Sequence, residues 1–249
     1  MTTGKKILGI LFATWALIVF VITLLVIVIP ICLTFLIKEP LGTEIFRQIS
    51  KGWMIVWLNL VGCPLRIKGK AQFKKGETYI VTCNHNSFMD VPVTTPFIPG
   101  PNKTIAKRSI SKVPLFGWIY TRGAVLVDRD SDESRRKSYE DMKKTLADGL
   151  HMTVYPEGTR NKTADPLKSF YDGAFKLALD TNKEIIPTLL FNTRTVMPQG
   201  HGFYFWPHRL EMHFLPAVDP AQFDTARDLK EHVFRIMWDY YSANVKSQN

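Results

Sequence analysis

From Ile7 to Ile37 the chain carries no charged residue; the stretch reads ILGILFATWALIVFVITLLVIVIPICLTFLI. No other feature restricts the fold as much. About 20 apolar residues suffice for a helix to cross a ~30 Å hydrocarbon core, and uncharged runs of this length are rare as core helices of water-soluble domains. Lys5 and Lys6 precede the run, as they would in a secretory leader. It is nevertheless longer than the roughly 7–15 residues of a leader's apolar region, and no small-residue cleavage pattern follows. The stretch is therefore expected to act as a membrane anchor. A straight helix of that length would reach roughly 46 Å, so Pro30 is expected to break or kink it. Two arrangements fit: one tilted span with a continuation, or two helices lying in one leaflet as a monotopic anchor. Lys38, Arg47 and Lys51 outnumber Lys5 and Lys6 across the run, which slightly favours a cytoplasmic domain.

The rest of the chain has the composition of a packed domain. Of 249 residues, 46% are hydrophobic and 22% charged, which excludes a disordered or fibrous chain. The length suits one globular domain plus an appendage. Residues 1–61 are read as anchor and interfacial helix, and residues 62–249 as the domain. Net charge is +10. With Lys5 and Lys6 set aside, thirty basic against twenty-two acidic residues leave +8 on residues 38–249. The excess thus belongs to the part beyond the anchor and suits an anionic leaflet or a phosphate-bearing substrate. No nucleic-acid partner is expected. Basic residues are dispersed, with local density only at Arg135-Arg136-Lys137 and Lys143-Lys144, and a binder would cluster them with aromatics. Cys32, Cys63 and Cys83 lack metal-ligand spacing and form no disulfide framework.

Short apolar segments alternate with helical ones. Strands are expected at Leu65–Lys68, Tyr79–Cys83, Lys103–Ala106, Ala124–Val127, Met152–Tyr155, Ile185–Leu190 and Glu211–Leu215. Helices are expected at Thr43–Asn59, Val91–Phe97, Asp132–Gly149, Gly173–Thr181 and Thr225–Val245. This alternation predicts an α/β domain with a mixed, largely parallel sheet flanked by helices. Such sheets place their sites beyond the carboxyl ends of the strands.

Four segments with chemical potential fall at those ends. The first is Asn84-His85-Asn86-Ser87-Phe88-Met89-Asp90. His85 and Asp90 are five apart, about 500° on a continuous helix, and would not share a face. With His85 in the turn and Asp90 in the following helix, the carboxylate can accept from one ring nitrogen and leave the other free as a general base. A surface histidine beside a helix-capping acid gives the same spacing. The second segment is Tyr155-Pro156-Glu157-Gly158-Thr159-Arg160, whose turn N–H groups, hydroxyl and guanidinium suit a phosphate; alone it would pass for a solvated β-turn. Arg122-Gly123 through Asp128-Arg129 could bring Arg129 to the same pocket, or form a salt-bridged strand end. Lys107, in Ala106-Lys107-Arg108, is either a further phosphate ligand or a surface lysine.

In order and spacing these segments resemble the motif blocks of the 1-acylglycerol-3-phosphate acyltransferases, the PlsC-type glycerolipid acyltransferase family. The His-x4-Asp block is similar to Asn84–Asp90. The block with a glycine ahead of an apolar run ending in arginine is similar to Gly123–Arg129. The Pro-Glu-Gly-Thr-Arg block is present as Pro156–Arg160, and the proline-bearing strand resembles Ile185-Ile186-Pro187. Phe170, Gly173, Ala174, Leu177 and Ala178 approximate a further pattern. Tyr155, Asn161 and Thr188 depart from the commoner Phe, Ser and Val. The likeness covers roughly residues 65–200.

The resemblance implies transfer of a fatty acyl group from a thioester of coenzyme A or acyl carrier protein to the sn-2 hydroxyl of lysophosphatidic acid, giving phosphatidic acid. His85 is then the base and Asp90 its orienting partner, with no acyl-enzyme; Ser87 and Cys83 are read as structural. Arg129 and Arg160, assisted by Lys107, would hold the acceptor phosphate in a pocket shaped by Glu157, Gly158 and Thr159. No metal and no cofactor beyond the thioester co-substrate are implied. Another lysophospholipid or an acyl-ornithine lipid as acceptor would leave the same motifs. A phosphohydrolase would need a nucleophile or metal carboxylates that are not evident, and a protein that only binds acidic lipid would show salt sensitivity without turnover.

Overall fold

The computed structural model describes residues 2–128 and 131–245. The apolar segments form one seven-stranded sheet: β1 (Leu65–Lys68), β2 (Ile80–Cys83), β3 (Asn102–Lys107), β4 (Ala124–Val127), β5 (His151–Val154), β6 (Ile185–Phe191) and β7 (Leu210–Phe214). Their spatial order is β1-β7-β6-β2-β5-β3-β4. β6, β2, β5, β3 and β4 run parallel, while β7 is antiparallel to β6 and carries β1 parallel to itself. The fold is thus α/β with a mixed, mostly parallel sheet. β2, β5 and β6 are buried throughout, which is why they read as mostly apolar segments without alternation; β1, at the sheet edge, alternates.

The helices are α1 (Thr3–Leu33), α2 (Leu41–Leu60), α3 (Asp90–Thr94), α4 (Phe116–Arg122), α5 (Asp132–Ala147), α6 (Gly173–Thr181), α7 (Thr193–Val196) and α8 (Ala226–Val245). α5 starts where Ser131 accepts from the Ser134 N–H and Asp132 and Glu133 fill the first turn, a cap of about 1 kcal/mol with favourable dipole charges. α8 starts on a reciprocal Thr225–Asp228 pair. Neither α4 nor α7 was expected from the sequence. α4 follows Leu115 at φ +61°, and at Gly117 a Cβ would lie 2.1 Å from the Ser111 carbonyl oxygen. These short turns are set by tertiary contact, not by periodicity.

Two cores lie on opposite faces of the sheet. One gathers Val81, Ile186, Leu190 and Met212 under α1 and α2. The other gathers Ile80, Met152, Ile185 and Leu189 under α5, α6 and α8. Trp238, Tyr240 and Tyr241 pack half-buried against this second core, and Tyr241 stacks on Phe191 at 4.9 Å, so the aromatic end of α8 lies against the domain. Each large side chain buried in these cores contributes about 1.5–3 kcal/mol.

The apolar stretch departs from expectation at Pro30. α1 passes through Pro30 and ends three residues later at Leu33, in a 3-10 turn over Thr34–Leu36. The proline lies in the last helical turn, where its missing N–H removes one helical bond without interrupting a longer ladder. Thr3–Leu36 is long and apolar enough to cross a membrane, yet α1 is tied to the domain along its length. The Phe205 N–H donates to the Gly9 carbonyl, and a Cβ at Gly9 would collide with the Tyr204 ring at 2.0 Å. Trp57 Nε1 donates to the Ala16 carbonyl at 3.1 Å, and Trp53 Nε1 to Thr23 Oγ1 at 2.8 Å.

At the far end Arg122, 6% exposed, donates to Thr34 Oγ1, Thr43 Oγ1 and the Glu39 carboxylate, which also meets Lys103 at 3.0 Å. Although burial alone would raise it, these donors and the nearby lysine hold Glu39 down at about 2. Arg122, one end of a candidate segment, is therefore a bolt between hairpin and domain.

Candidate active site

The parallel register of β2 and β5 builds the site. Thr82 pairs with Val154, so the third residues beyond each, His85 and Glu157, emerge side by side at the carboxyl edge. Asn84 fixes the start of the loop by imitating a strand partner: its Oδ1 accepts the Leu190 N–H at 2.7 Å and its Nδ2 donates to the Leu190 carbonyl at 3.0 Å. His85 then lies in the turn and Asp90 at the first position of α3, the arrangement their spacing requires.

His85 Nδ1 donates to Asp90 Oδ2 at 2.7 Å. The same oxygen accepts the Asn86 and Ser87 N–H groups at 2.6 and 2.7 Å. Three donors on one oxygen fix the carboxylate, and through it the ring, with Nδ1 protonated and the Nε2 lone pair free. Asp90 is fully buried, and its Oδ1 has no partner among the described residues. The imidazole retains 20% exposure and lies on the Tyr155 ring at 4.6 Å. The pair is thus a proton acceptor open on one side, backed by a buried carboxylate.

The Pro156–Arg160 turn closes on the same loop. Glu157 is fully buried and turns inward, where its carboxylate accepts the His85 N–H at 2.8 Å and the Lys168 N–H at 3.1 Å. Burial pushes this carboxyl up to about 7, against those two donors. Glu157 thereby splices the two loops. Gly158 adopts φ +70°, and a Cβ there would strike the Tyr171 ring at 2.6 Å, so only glycine fits. Thr159 is exposed and accepts from Lys168 Nζ. The Arg160 guanidinium lies 3.5 Å from the centroid of Phe88, a cation–π contact that joins the second block to the first. Lys107 ends β3, three residues past the Thr104–Thr153 pair, and is exposed on the same edge. Arg129 lies outside the described residues.

The nearby nucleophiles are occupied. Ser87 Oγ donates to the Met197 carbonyl and accepts the Met89 N–H. Burial drives the Cys83 thiol far up. Neither presents an anion to a substrate.

Two residues that sequence reasoning missed complete the site. Arg194, in α7, donates to the Thr163 and Asn161 carbonyls at 2.8 and 2.9 Å and to Asn86 Oδ1 at 3.2 Å. Gln199 Nε2 donates to the Asn86 and Asn161 carbonyls at 2.8 and 2.9 Å. Between them they clamp the His85 loop to the Glu157 turn, which also meet where the Asn161 N–H donates to the His85 carbonyl. No motif or periodicity marks either residue; only the long-range contacts reveal them.

Comparison with known proteins gives a consistent result. The Acyltransferase family model matches residues 64–190, just over half of the chain. A 1-acyl-sn-glycerol-3-phosphate acyltransferase of Chlamydomonas reinhardtii is 26% identical over 223 residues, 86% of this chain and 64% of that protein. One from Cocos nucifera is 33% identical over 144 residues, 57% of this chain and 45% of that protein. The chain thus spans about half to two thirds of the length of these curated relatives. The crystal structure of the 1-acyl-sn-glycerophosphate (LPA) acyltransferase PlsC from Thermotoga maritima superposes with a TM-score of 0.81 at 21% identity, covering 96% of this chain and 97% of that one; this likeness is one of fold.

Proposed function

The chain belongs to the Acyltransferase family, and from that premise we propose that it moves a fatty acyl group from a thioester of coenzyme A or acyl carrier protein to the sn-2 hydroxyl of lysophosphatidic acid, giving phosphatidic acid. The observation that carries the reading is the 2.7 Å His85–Asp90 pair with Nε2 free, set beside a turn bearing Arg160. In the proposed step His85 Nε2 takes the proton of the acceptor hydroxyl as its oxygen attacks the thioester carbonyl carbon. Asp90 stabilises the imidazolium that forms. The tetrahedral intermediate expels the thiolate, and His85 returns the proton to that sulfur, so the enzyme ends as it began. Arg160, Lys107 and Arg129 would hold the acceptor phosphate. Arg160 offers a bidentate fork and Lys107 a point charge.

Membrane attachment fits a lipid acceptor. Leu11, Ile18, Ile22, Leu25, Val26 and Ile29 leave one side of α1 apolar and exposed, while its other side packs on α2 and the domain. α1 is hydrogen-bonded along its length to α2 and the domain and ends on Thr34, which Arg122 holds, so standing it upright across a bilayer would carry these polar groups toward hydrocarbon. This favours a helix lying side-on in one leaflet, with the basic domain on the anionic cytoplasmic face.

The test is turnover of the full chain in detergent with lysophosphatidic acid and labelled acyl-CoA, then acyl carrier protein donors and a panel of lysolipids. Phosphatidic acid formed by wild type and lost in His85→Ala supports the reading. Product with another lysolipid alone would reassign the acceptor, and silence with every donor and acceptor would sink the proposal.

A further inference from the structure

Outside the catalytic loops, a cavity of about 550 Å³ lies between the first turn of α1 and the segment that follows α7. Lys5, Arg194, His201 and His208 line it together with Tyr204 and Trp206. No carboxylate is among the described residues that line it. A lysine and an arginine in one concavity, with no carboxylate in its described lining to neutralise them, form a site for an anion.

The donors are available. The three hydrogen bonds from Arg194 to the catalytic loops use three of its five N–H groups, so two remain for a ligand. Lys5 Nζ sits 5.1 Å over the Trp206 ring, a contact that positions the ammonium without using its N–H groups. His208 Nδ1 donates to the Arg209 carbonyl, which holds the ring in the lining. Trp206 and Tyr204 stack at 6.4 Å, 11° apart, and give the cavity a flat apolar wall.

We infer that this cavity binds the phosphate group of a phosphate ester, with Lys5 and Arg194 as the charged donors and His201 and His208 as polar lining. The ester chemistry is shared by coenzyme A and by the headgroup of an anionic membrane lipid. Because Arg194 holds Asn86, the neighbour of His85, a ligand here bears on the catalytic loops through one side chain. The binding site itself does not depend on the acyl-transfer reading; only its assignment to the acyl donor would rest on it.

The full chain, in nanodiscs of phosphatidylcholine, is titrated with coenzyme A. In a second arm its partition onto vesicles containing phosphatidylglycerol is measured against pure phosphatidylcholine. Lys5→Gln/His208→Gln removes two lining residues, both exposed, so folding is not at stake. Lys6→Gln/Arg209→Gln makes the same kind of change one residue along, outside the lining. A coenzyme A affinity roughly tenfold or more weaker in the first pair alone supports the site and identifies the donor. Loss of the preference for phosphatidylglycerol in the first pair alone supports the site and identifies the lipid. If both pairs behave alike in both arms, or wild type binds neither probe, the cavity is not a phosphate site.

Discussion

The backbone N–H of His85 donates to the buried carboxylate of Glu157 at 2.8 Å, so the main chain of the residue proposed as the base is joined to a side chain of the Pro156–Arg160 turn. Glu157 is held at about 7 by burial, from an ordinary 4.5. A folded-state value above the unfolded one contributes stability that is full below pH 4.5 and is lost as pH rises through about 7. The swing is about 3 kcal/mol. Melting measured across that window should show a falling component, and Glu157→Gln should remove it. An unchanged slope in Glu157→Gln would mean that another group titrates there.

His151 should act with the opposite sign. It is 5% exposed, accepts the Tyr79 N–H at Nδ1 and donates from Nε2 to the Pro99 carbonyl. Burial depresses it from 6.5 to about 4. Stability is then full above pH 6.5 and falls toward pH 4 as the unfolded chain takes up the proton, by about 3 kcal/mol. His151→Gln keeps the donor and acceptor types and should flatten this acid limb while leaving the Glu157 limb intact. Unfolding curves between pH 4 and 7 separate the two.

Removing the proposed base should cost more than removing its partner. His85→Ala should lower kcat by about 10²–10⁴ with the melting temperature unchanged, and Asp90→Asn by a smaller factor. Since Asp90 also accepts the Asn86 and Ser87 N–H groups, Asp90→Asn should lower stability as well. Equal kcat in wild type and His85→Ala would rule out the general-base role.

Arg194→Ala should lower kcat by roughly tenfold or more, since small displacements of reacting groups are costly. Arg194→Lys should recover little, because one ammonium cannot reach three acceptors in the plane of a guanidinium. Added guanidinium should partly restore kcat in Arg194→Ala. A variant with full activity would show that the loops hold their positions without the clamp.

Arg122→Ala should loosen the helical hairpin from the domain. Glu39 keeps Lys103 as a partner and is partly exposed, so the loss is about 2 kcal/mol, below that of a fully buried pair. Faster hydrogen exchange in α1 and α2, with the sheet unaffected, would report it; uniform exchange would place the bolt elsewhere.

The strands and the chemical groups at their ends are legible from local residue order. β2, β5 and β6 are buried on both faces, so mostly apolar segments mark them, interrupted only by buried residues such as Thr82, His151 and Thr188. The His-x4-Asp and Pro-Glu-Gly-Thr-Arg segments were visible because each is continuous in the chain. Pro30 shows where local reasoning overreaches: a proline breaks a helix only where turns follow that depend on the bond it removes. The remaining contacts follow from long-range packing. The inward turn of Glu157, the Arg194–Gln199 clamp and the Arg122–Glu39 bolt each join residues tens of positions apart. Their contacts exist because β2 and β5 pair in one register and α1 lies along the domain. A charged side chain carries the same local signal whether it meets solvent, substrate or a backbone carbonyl, and only the packing of distant segments selects among them.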